Sequence, residues 1–271
     1  VDNLLPGTYA VKIEKEGYRP WQKNLAVQAK HVTEAKNVML FPSQTAFRAL
    51  FDSVAQVWPS PDMSFFLIQK TFTQGQKSLS LWNPETNKET PIMQRLASAQ
   101  NIQAIRWDAN GKTFLVQFQK GGGKPLVFNE RGEPCKESFC IENILKIQPT
   151  DQEKLLAAAE ESLQEILSGV QERVLSPDEK KIALTQGSEL WLFYLQDDEG
   201  QPKRIKGDRV FLNRFGEQVQ NLSWVSSHYL LLSVGNDIRI MEIDDRDSLN
   251  TISLGSFPAH QSPQLQAVAG G

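Results

Sequence analysis

The sequence predicts a mainly β chain, with a short β module over residues 1–43, antiparallel strand repeats over 44–271 and one helical insertion at 151–168. Three observations carry this reading. The first forty residues alternate apolar and polar positions between Gly/Pro turns. After Pro42, an apolar run, a turn and a stronger apolar run recur at nearly regular spacing. A single stretch has helical periodicity. With 271 residues the chain suffices for one large or two ordinary domains. A formal charge of −3 gives no basic field for nucleic acid or anionic lipid, so no nucleic-acid partner is expected. No stretch approaches the roughly 20 apolar residues that span a bilayer. Nor does the start at Val1 show a basic n-region with an apolar core, so any signal or membrane anchor is expected in a segment upstream of this chain.

In the first module, Pro6-Gly7 reads as a turn into a strand that places Tyr9, Val11 and Ile13 on one face, and Glu16-Gly17 as the return turn. Trp21, Leu25 and Val27, then Val38 and Leu40, supply further expected strands. The order Leu5-Pro6-Gly7-x-Tyr9-x-Val11-x-Ile13, then Lys15-Glu16-Gly17-Tyr18-x-x-Trp21, resembles the second half of a PEGA domain. Such domains are small β-sandwich modules common on bacterial surface and envelope proteins. The resemblance spans residues 4–42 and implies a partial sandwich, incomplete at its N-terminus. Half a sandwich exposes an edge and a core face unless something else covers them.

Four repeats follow. Val57-Trp58-Pro59-Ser60-Pro61-Asp62 precedes Phe65-Phe66-Leu67-Ile68, and Ile105-Arg106-Trp107-Asp108-Ala109-Asn110-Gly111-Lys112 precedes Phe114-Leu115-Val116. Val174-Leu175-Ser176-Pro177-Asp178 precedes Ile182-Ala183-Leu184, and the looser Leu222-Ser223-Trp224-Val225 precedes Tyr229 to Leu232. Third strands are expected at 79–82, 126–128, 190–193 and 238–241, with fourth, more polar strands after them. Four short strands per repeat, the outermost polar, is the design of a propeller blade. The turn residues Pro61, Asp62, Asn110, Gly111, Pro177 and Asp178 resemble the repeat turn of TolB-like and WD40-like propellers, where Pro presets φ and Asp caps the turn. Copies one and two, and copies three and four, are about 48 residues apart, whereas the middle gap is wider by roughly 20. Residues 151–168 fill that surplus: Thr150 or Asp151 can cap a helix, Gly169 can end it, and Leu155, Leu163 and Ile166 lie on one apolar stripe. That stripe reads as packing on the propeller rim or, alternatively, as a partner-binding surface. In the last repeat, Glu242-Ile243-Asp244-x-Arg246-x-x-x-Asn250 resembles a run found in propellers that follow PEGA modules in bacterial envelope proteins.

Chemistry is sparse by comparison. Cys135 and Cys140, with four residues between them and Gly/Pro-rich flanks, read as a hairpin-loop disulfide or as two reduced thiols. His31, His228 and His260 are scattered, so no metal site and no cofactor are expected. His228, after Ser226-Ser227, reads as a solvated turn residue rather than half of a Ser/His pair. Gly121-Gly122-Gly123-Lys124 lacks the Ser/Thr ending of a phosphate loop. Asp244, Asp245 and Asp247 lack EF-hand spacing and read as a polar turn. Of the tryptophans, Trp58, Trp107, Trp191 and Trp224 fall at strand positions that pack between blades, leaving Trp21 as a candidate surface residue. The expected function is therefore non-enzymatic. The resemblance implies an envelope or cell-surface protein that binds or assembles with a protein, a cell-wall glycan or copies of itself, and is membrane-anchored only through a segment outside this chain. A glycan- or peptidoglycan-binding module and the regulatory propeller of an enzyme whose catalytic domain is elsewhere are the alternatives.

Overall fold

A computed structural model describes residues 4–45, 50–96, 101–108, 111–119, 123–135 and 169–257. The predicted helix with Leu155, Leu163 and Ile166, the turn residue Asn110, and Cys140 lie outside the described residues. The chain divides into two compact units: Val1–Phe47 with Gln152–Gly271, and Arg48–Asp151.

At the start of the chain, β1 (Gly7–Ile13) and β2 (Trp21–Val27) pair antiparallel as an isolated hairpin, with Tyr9 opposite Leu25, Val11 opposite Lys23 and Ile13 opposite Trp21. Directly opposed residues share a face. On that face Trp21, Lys23 and Leu25 are buried, whereas Tyr9 and Val11 are half-buried and Ile13 is exposed. The strand expected around Val38–Leu40 is not formed. Residues 28–41 run without regular structure, tied back to the hairpin by the bridge from Tyr18 to Pro42 and by the Thr33 hydroxyl, which donates to the Ala26 carbonyl at 2.7 Å. No sandwich module is thus present among the described residues. The physical reason is that this segment's hydrogen-bonding groups are spent elsewhere in the unit, as set out below.

The unit Arg48–Asp151 holds two antiparallel sheets. The first runs β3 (Val54–Pro59), β4 (Phe66–Thr71), β5 (Lys77–Asn83), β6 (Lys88–Leu96), each strand paired with the next. The second runs β7 (Ile102–Trp107), β8 (Thr113–Phe118), β9 (Leu126–Asn129). One apolar cluster joins them: Leu67, Leu79 and Leu81 meet Trp107, Phe114, Val116 and Phe128, with Trp58 at its margin. Phe114 lies 4.8 Å from Trp107 and 5.4 Å from Phe128, centroid to centroid.

In the other unit, β10 (Glu172–Leu175), β11 (Lys181–Gln186), β12 (Glu189–Tyr194) and β13 (Arg209–Arg214) form one sheet. The last four strands, β14 (Val219–Ser226), β15 (Tyr229–Val234), β16 (Asp237–Glu242) and β17 (Thr251–Ser256), form another. Burial follows strand position. Tyr229–Val234 is buried throughout, as a near-continuous apolar run buried on both faces should be, while Thr251–Ser256 is at most half-buried. Leu190, Leu192 and Val210 pack against Leu230, Leu232 and Met241 between the two sheets, and the Trp224 indole donates to the Val174 carbonyl at 3.1 Å. The repeats are therefore four blade-type sheets, two in each unit.

The predicted repeat turn is one geometry used three times. Ser60 N–H donates to Phe65 O and Met63 N–H to Ser60 O; Asp108 to Thr113 and Gly111 to Asp108 repeat it, as do Ser176 to Lys181 and Glu179 to Ser176. The same position, Met63, Gly111 or Glu179, takes positive φ each time. Only Gly111 does so without steric cost, and there a side chain would also meet Asp62 Oδ1 at 3.0 Å. Asp62 accepts the Ser60 hydroxyl at 2.6 Å, and Asp178 the Ser176 hydroxyl at 2.5 Å. The pattern needs only neighbours in sequence, which explains why it can be read there.

Candidate functional site

The richest concentration of polar side chains lies in the unit formed by Val1–Phe47 and Gln152–Gly271. Its centre is Lys23, whose side chain is wholly buried on the inward face of β2. Strand alternation forces it there between Trp21 and Leu25. Burial of an ammonium group is tolerable only if it is paired and hydrogen-bonded. Its Nζ meets Glu242 Oε1 at 2.6 Å, donates to the Asp244 carbonyl at 2.5 Å and lies 3.8 Å from Asp244 Oδ1. Glu242, at the end of β16, is equally well served. The Trp21 indole donates to its Oε2 at 2.7 Å, and the Asn250 amide and backbone N–H donate to its Oε1 at 2.8 and 2.9 Å.

Arg246 continues the network outward. It pairs with Asp244 at 2.7 Å, donates to Gln201 Oε1 at 3.0 Å and donates to the Glu34 carbonyl at 2.9 Å. Gln201 in turn receives the Glu34 N–H and donates to the Val32 carbonyl. Asn24 N–H is bound by Asp247, the Gln22 carbonyl by Asn250, and Met39 N–H by the Tyr229 hydroxyl. These bonds hold residues 28–41 irregular. Its N–H and carbonyl groups answer side chains of the last two sheets instead of a third strand. Every residue fixed in the Glu242-Ile243-Asp244-x-Arg246-x-x-x-Asn250 run except Ile243 thus contacts the N-terminal segment or a residue that does, and Ile243 is buried in the core between the sheets.

Beside this network a cleft of about 90 Å³ opens between residues 34–38, residues 198–202 and the ends of β14 and β16. His228, Tyr194, Asp198 and Asp244 line it. His228 is half-buried rather than solvated, because the β14–β15 turn lies under residues 34–38. Burial, and then the Lys181 charge, push its imidazole below the ordinary histidine range, so it is neutral at pH 7. Ser226 Oγ accepts the His228 backbone N–H at 3.2 Å, a bond to the backbone rather than to the ring. Burial pushes Tyr194 and Tyr229 up to about 12. Beneath the cleft, buried Lys181 bridges Asp178 at 2.8 Å and Asp198 at 3.4 Å. Burial raises the Asp178 and Asp244 carboxyls, but hydrogen bonds from Lys181 and Ser176 to the first, and from Arg246 to the second, outweigh it and hold both below the usual range. Each carboxylate of the cleft therefore already has a cation: Asp198 has Lys181, Glu242 has Lys23, Asp244 has Arg246, and Glu34 has Lys36 at 2.6 Å. Among the described residues no three His, Cys, Asp or Glu side chains converge on a metal position.

Of the residues singled out by sequence, Trp21 is 4% exposed and belongs to this network, so it is not a surface residue. Asp62 and Gly111 lie in the Arg48–Asp151 unit, whereas Asp178 reaches the cleft floor through Lys181. Cys135 is disulfide-bonded, and Cys140 is the chain's only other cysteine. Lys23 and Glu242 were not marked by sequence as a pair. A lysine at an inward position of an alternating strand was the available signal.

No family model matches the chain, and no curated protein does. Among solved structures it is distantly similar to TolB from Acinetobacter baumannii, at 14% identity over 94% of this chain and 54% of that one, with a TM-score of 0.32. A TolB-like protein from Agrobacterium tumefaciens gives 12% identity over 90% of this chain and 76% of that one, with a TM-score of 0.29. A eukaryotic initiation factor gives 14% identity over 75% and 44%, with a TM-score of 0.26. This chain spans about half the length of the Acinetobacter protein and less than half of the initiation factor.

Proposed function

We propose that this chain is a non-enzymatic binding or assembly module of the bacterial cell envelope, in which an N-terminal PEGA-like half-module is a fixed part of a propeller-type scaffold. The observation that carries the reading is the Lys23–Glu242 network. It turns the open core face expected of half a sandwich into a buried interface with the last sheet. The carboxylates of the cleft are each paired with a cation in this structural work. The disulfide at Cys135 supports an oxidising, extracytoplasmic compartment, as do the two sequence resemblances. A protein partner is favoured over a glycan, since none of the six tryptophans stands among the exposed large side chains.

The test is labelling of intact cells with a membrane-impermeant amine reagent, followed by chemical cross-linking and identification of the cross-linked species. Labelling of this protein together with a defined protein cross-link is the expected outcome. Labelling only after lysis, or retention on purified sacculi without a protein cross-link, would overturn the location or the partner class respectively.

A further inference from the structure

A second groove, of about 250 Å³, lies on the other side of Trp21, between the hairpin, residues 39–41 and the start of β17. Met39, Phe41, Ile240, Ile252 and Tyr229 form its apolar side, and Arg19, Asn250 and Thr251 its polar side. Arg19 is the one charged residue that lines it. Backbone bonding fixes Arg19 in place, since its N–H donates to the Phe41 carbonyl at 2.8 Å. Its side chain lacks the neutralisation seen everywhere in the neighbouring cleft. Among the described residues no carboxylate pairs with Arg19, and its Nε is buried with no hydrogen-bond partner. The nearby Glu242 carboxylate is committed to Lys23, Trp21 and Asn250. An arginine unpaired at the wall of a groove with one apolar side presents planar donors suited to a carboxylate whose body can lie along that side.

We propose that this groove binds a small carboxylate with an apolar body, the carboxylate on Arg19 and the body along Met39, Phe41 and Ile252. The volume is below the range of drug-sized sites, which sets the scale at a single short apolar chain or ring.

The probes are octanoate, octanamide and acetate, titrated into the intact chain and followed by calorimetry and by chemical shifts of the groove methyl groups. Octanoate is expected to bind at least about tenfold more tightly than octanamide, which lacks the charge, and than acetate, which lacks the apolar body. Arg19→Met should erase the preference for octanoate over octanamide while leaving the melting temperature within a degree or two. Ile252→Trp, which keeps Arg19 but fills the groove, should abolish binding of both. Equal affinity for octanoate and octanamide, or a preference that survives Arg19→Met, would overturn the proposal.

Discussion

The two units bury different things, and they hold their sheets together by different physics. In Arg48–Asp151 the sheets meet through rings and aliphatic chains, and the buried polar residues are the neutral Ser60, Gln69 and Ser80. Its Lys70–Glu89 pair stays at the margin, at 2.7 Å with the glutamate side chain 35% exposed. The other unit buries Lys23, Lys181 and Glu242 outright. Apolar packing supplies stability without demanding one partner, whereas a buried ion demands a specific one. The difference teaches that the second unit uses charge to say which segment belongs where. The hairpin has only Trp21 and Leu25 as fully buried apolar residues, and Lys23 between them fixes the register against Glu242.

The comparison is broken most directly at its charged end. Lys23→Ala leaves Glu242 buried without its cation and should cost about 3–5 kcal/mol, read as a lowered denaturation midpoint with loss of amide protection across β1 and β2. The double change Lys23→Met with Glu242→Leu should recover part of that stability, the rest staying lost because the Trp21 and Asn250 donors are left without an acceptor. If the single and double variants are equally destabilised, charge is not what holds the hairpin. At the apolar end, Phe114→Ala should cost about 3–5 kcal/mol through the cavity it leaves, with the loss of protection confined to β3–β9. Protection lost in β1 and β2 as well would mean that the units do not open separately.

A finer contrast uses the shared turn. Asp178→Ala removes a cap and also strips the buried Lys181 of its nearer carboxylate, so about 2–3 kcal/mol is expected. Asp62→Ala loses only hydrogen bonds from Ser60 and Ser64, for about 1 kcal/mol. Calorimetry of both variants reads the difference, and equal losses would remove the distinction between the units. Smallest is the pH effect. His228 is depressed by burial and by Lys181, with Asp178, Asp198 and Asp244 opposing, so its contribution is complete above the unfolded value of roughly 6.5 and fades as pH falls through its folded value. The depressed Asp178 and Asp244 carboxyls, like Asp62 and Glu89 in the other unit, act with the same sign only below roughly pH 4. Between pH 6.5 and 5, amide protection should therefore weaken around β14 and β15 but hold in β3–β9. His228→Gln should flatten that weakening.

What was legible in the sequence was local. The Ser-Pro-Asp turns and the third strands of the repeats depend on residues within a few positions of each other and are found where the pattern puts them, whereas the fourth strand expected after β9 is only the Phe128–Pro134 bridge among the described residues. The N-terminal segment was read by the same local logic and came out differently. Val38 and Leu40 alternate like a strand, but Glu34, Met39 and their neighbours bond to Gln201, Arg246 and Tyr229 instead. Trp21 reads from sequence as a candidate surface residue because its partner, Glu242, lies far away in the chain, and local pattern does not report such a pairing. The Glu-Ile-Asp run was visible as a motif, yet its use as a socket for the hairpin needed the fold.

The Trp21–Glu242 hydrogen bond joins residues 221 positions apart. At synthesis rates of about 5–20 residues per second, the hairpin emerges roughly 10–45 seconds before its carboxylate exists. Through that interval Lys23 must stay in water and the β1–β2 pair has nothing to lie against, and a two-stranded hairpin alone is marginal. Loop closure over such a span comes late and slowly. The hairpin is therefore fastened long after it is made, and whatever shields Trp21 and Leu25 until then, a chaperone or transient collapse, guards it against mispairing.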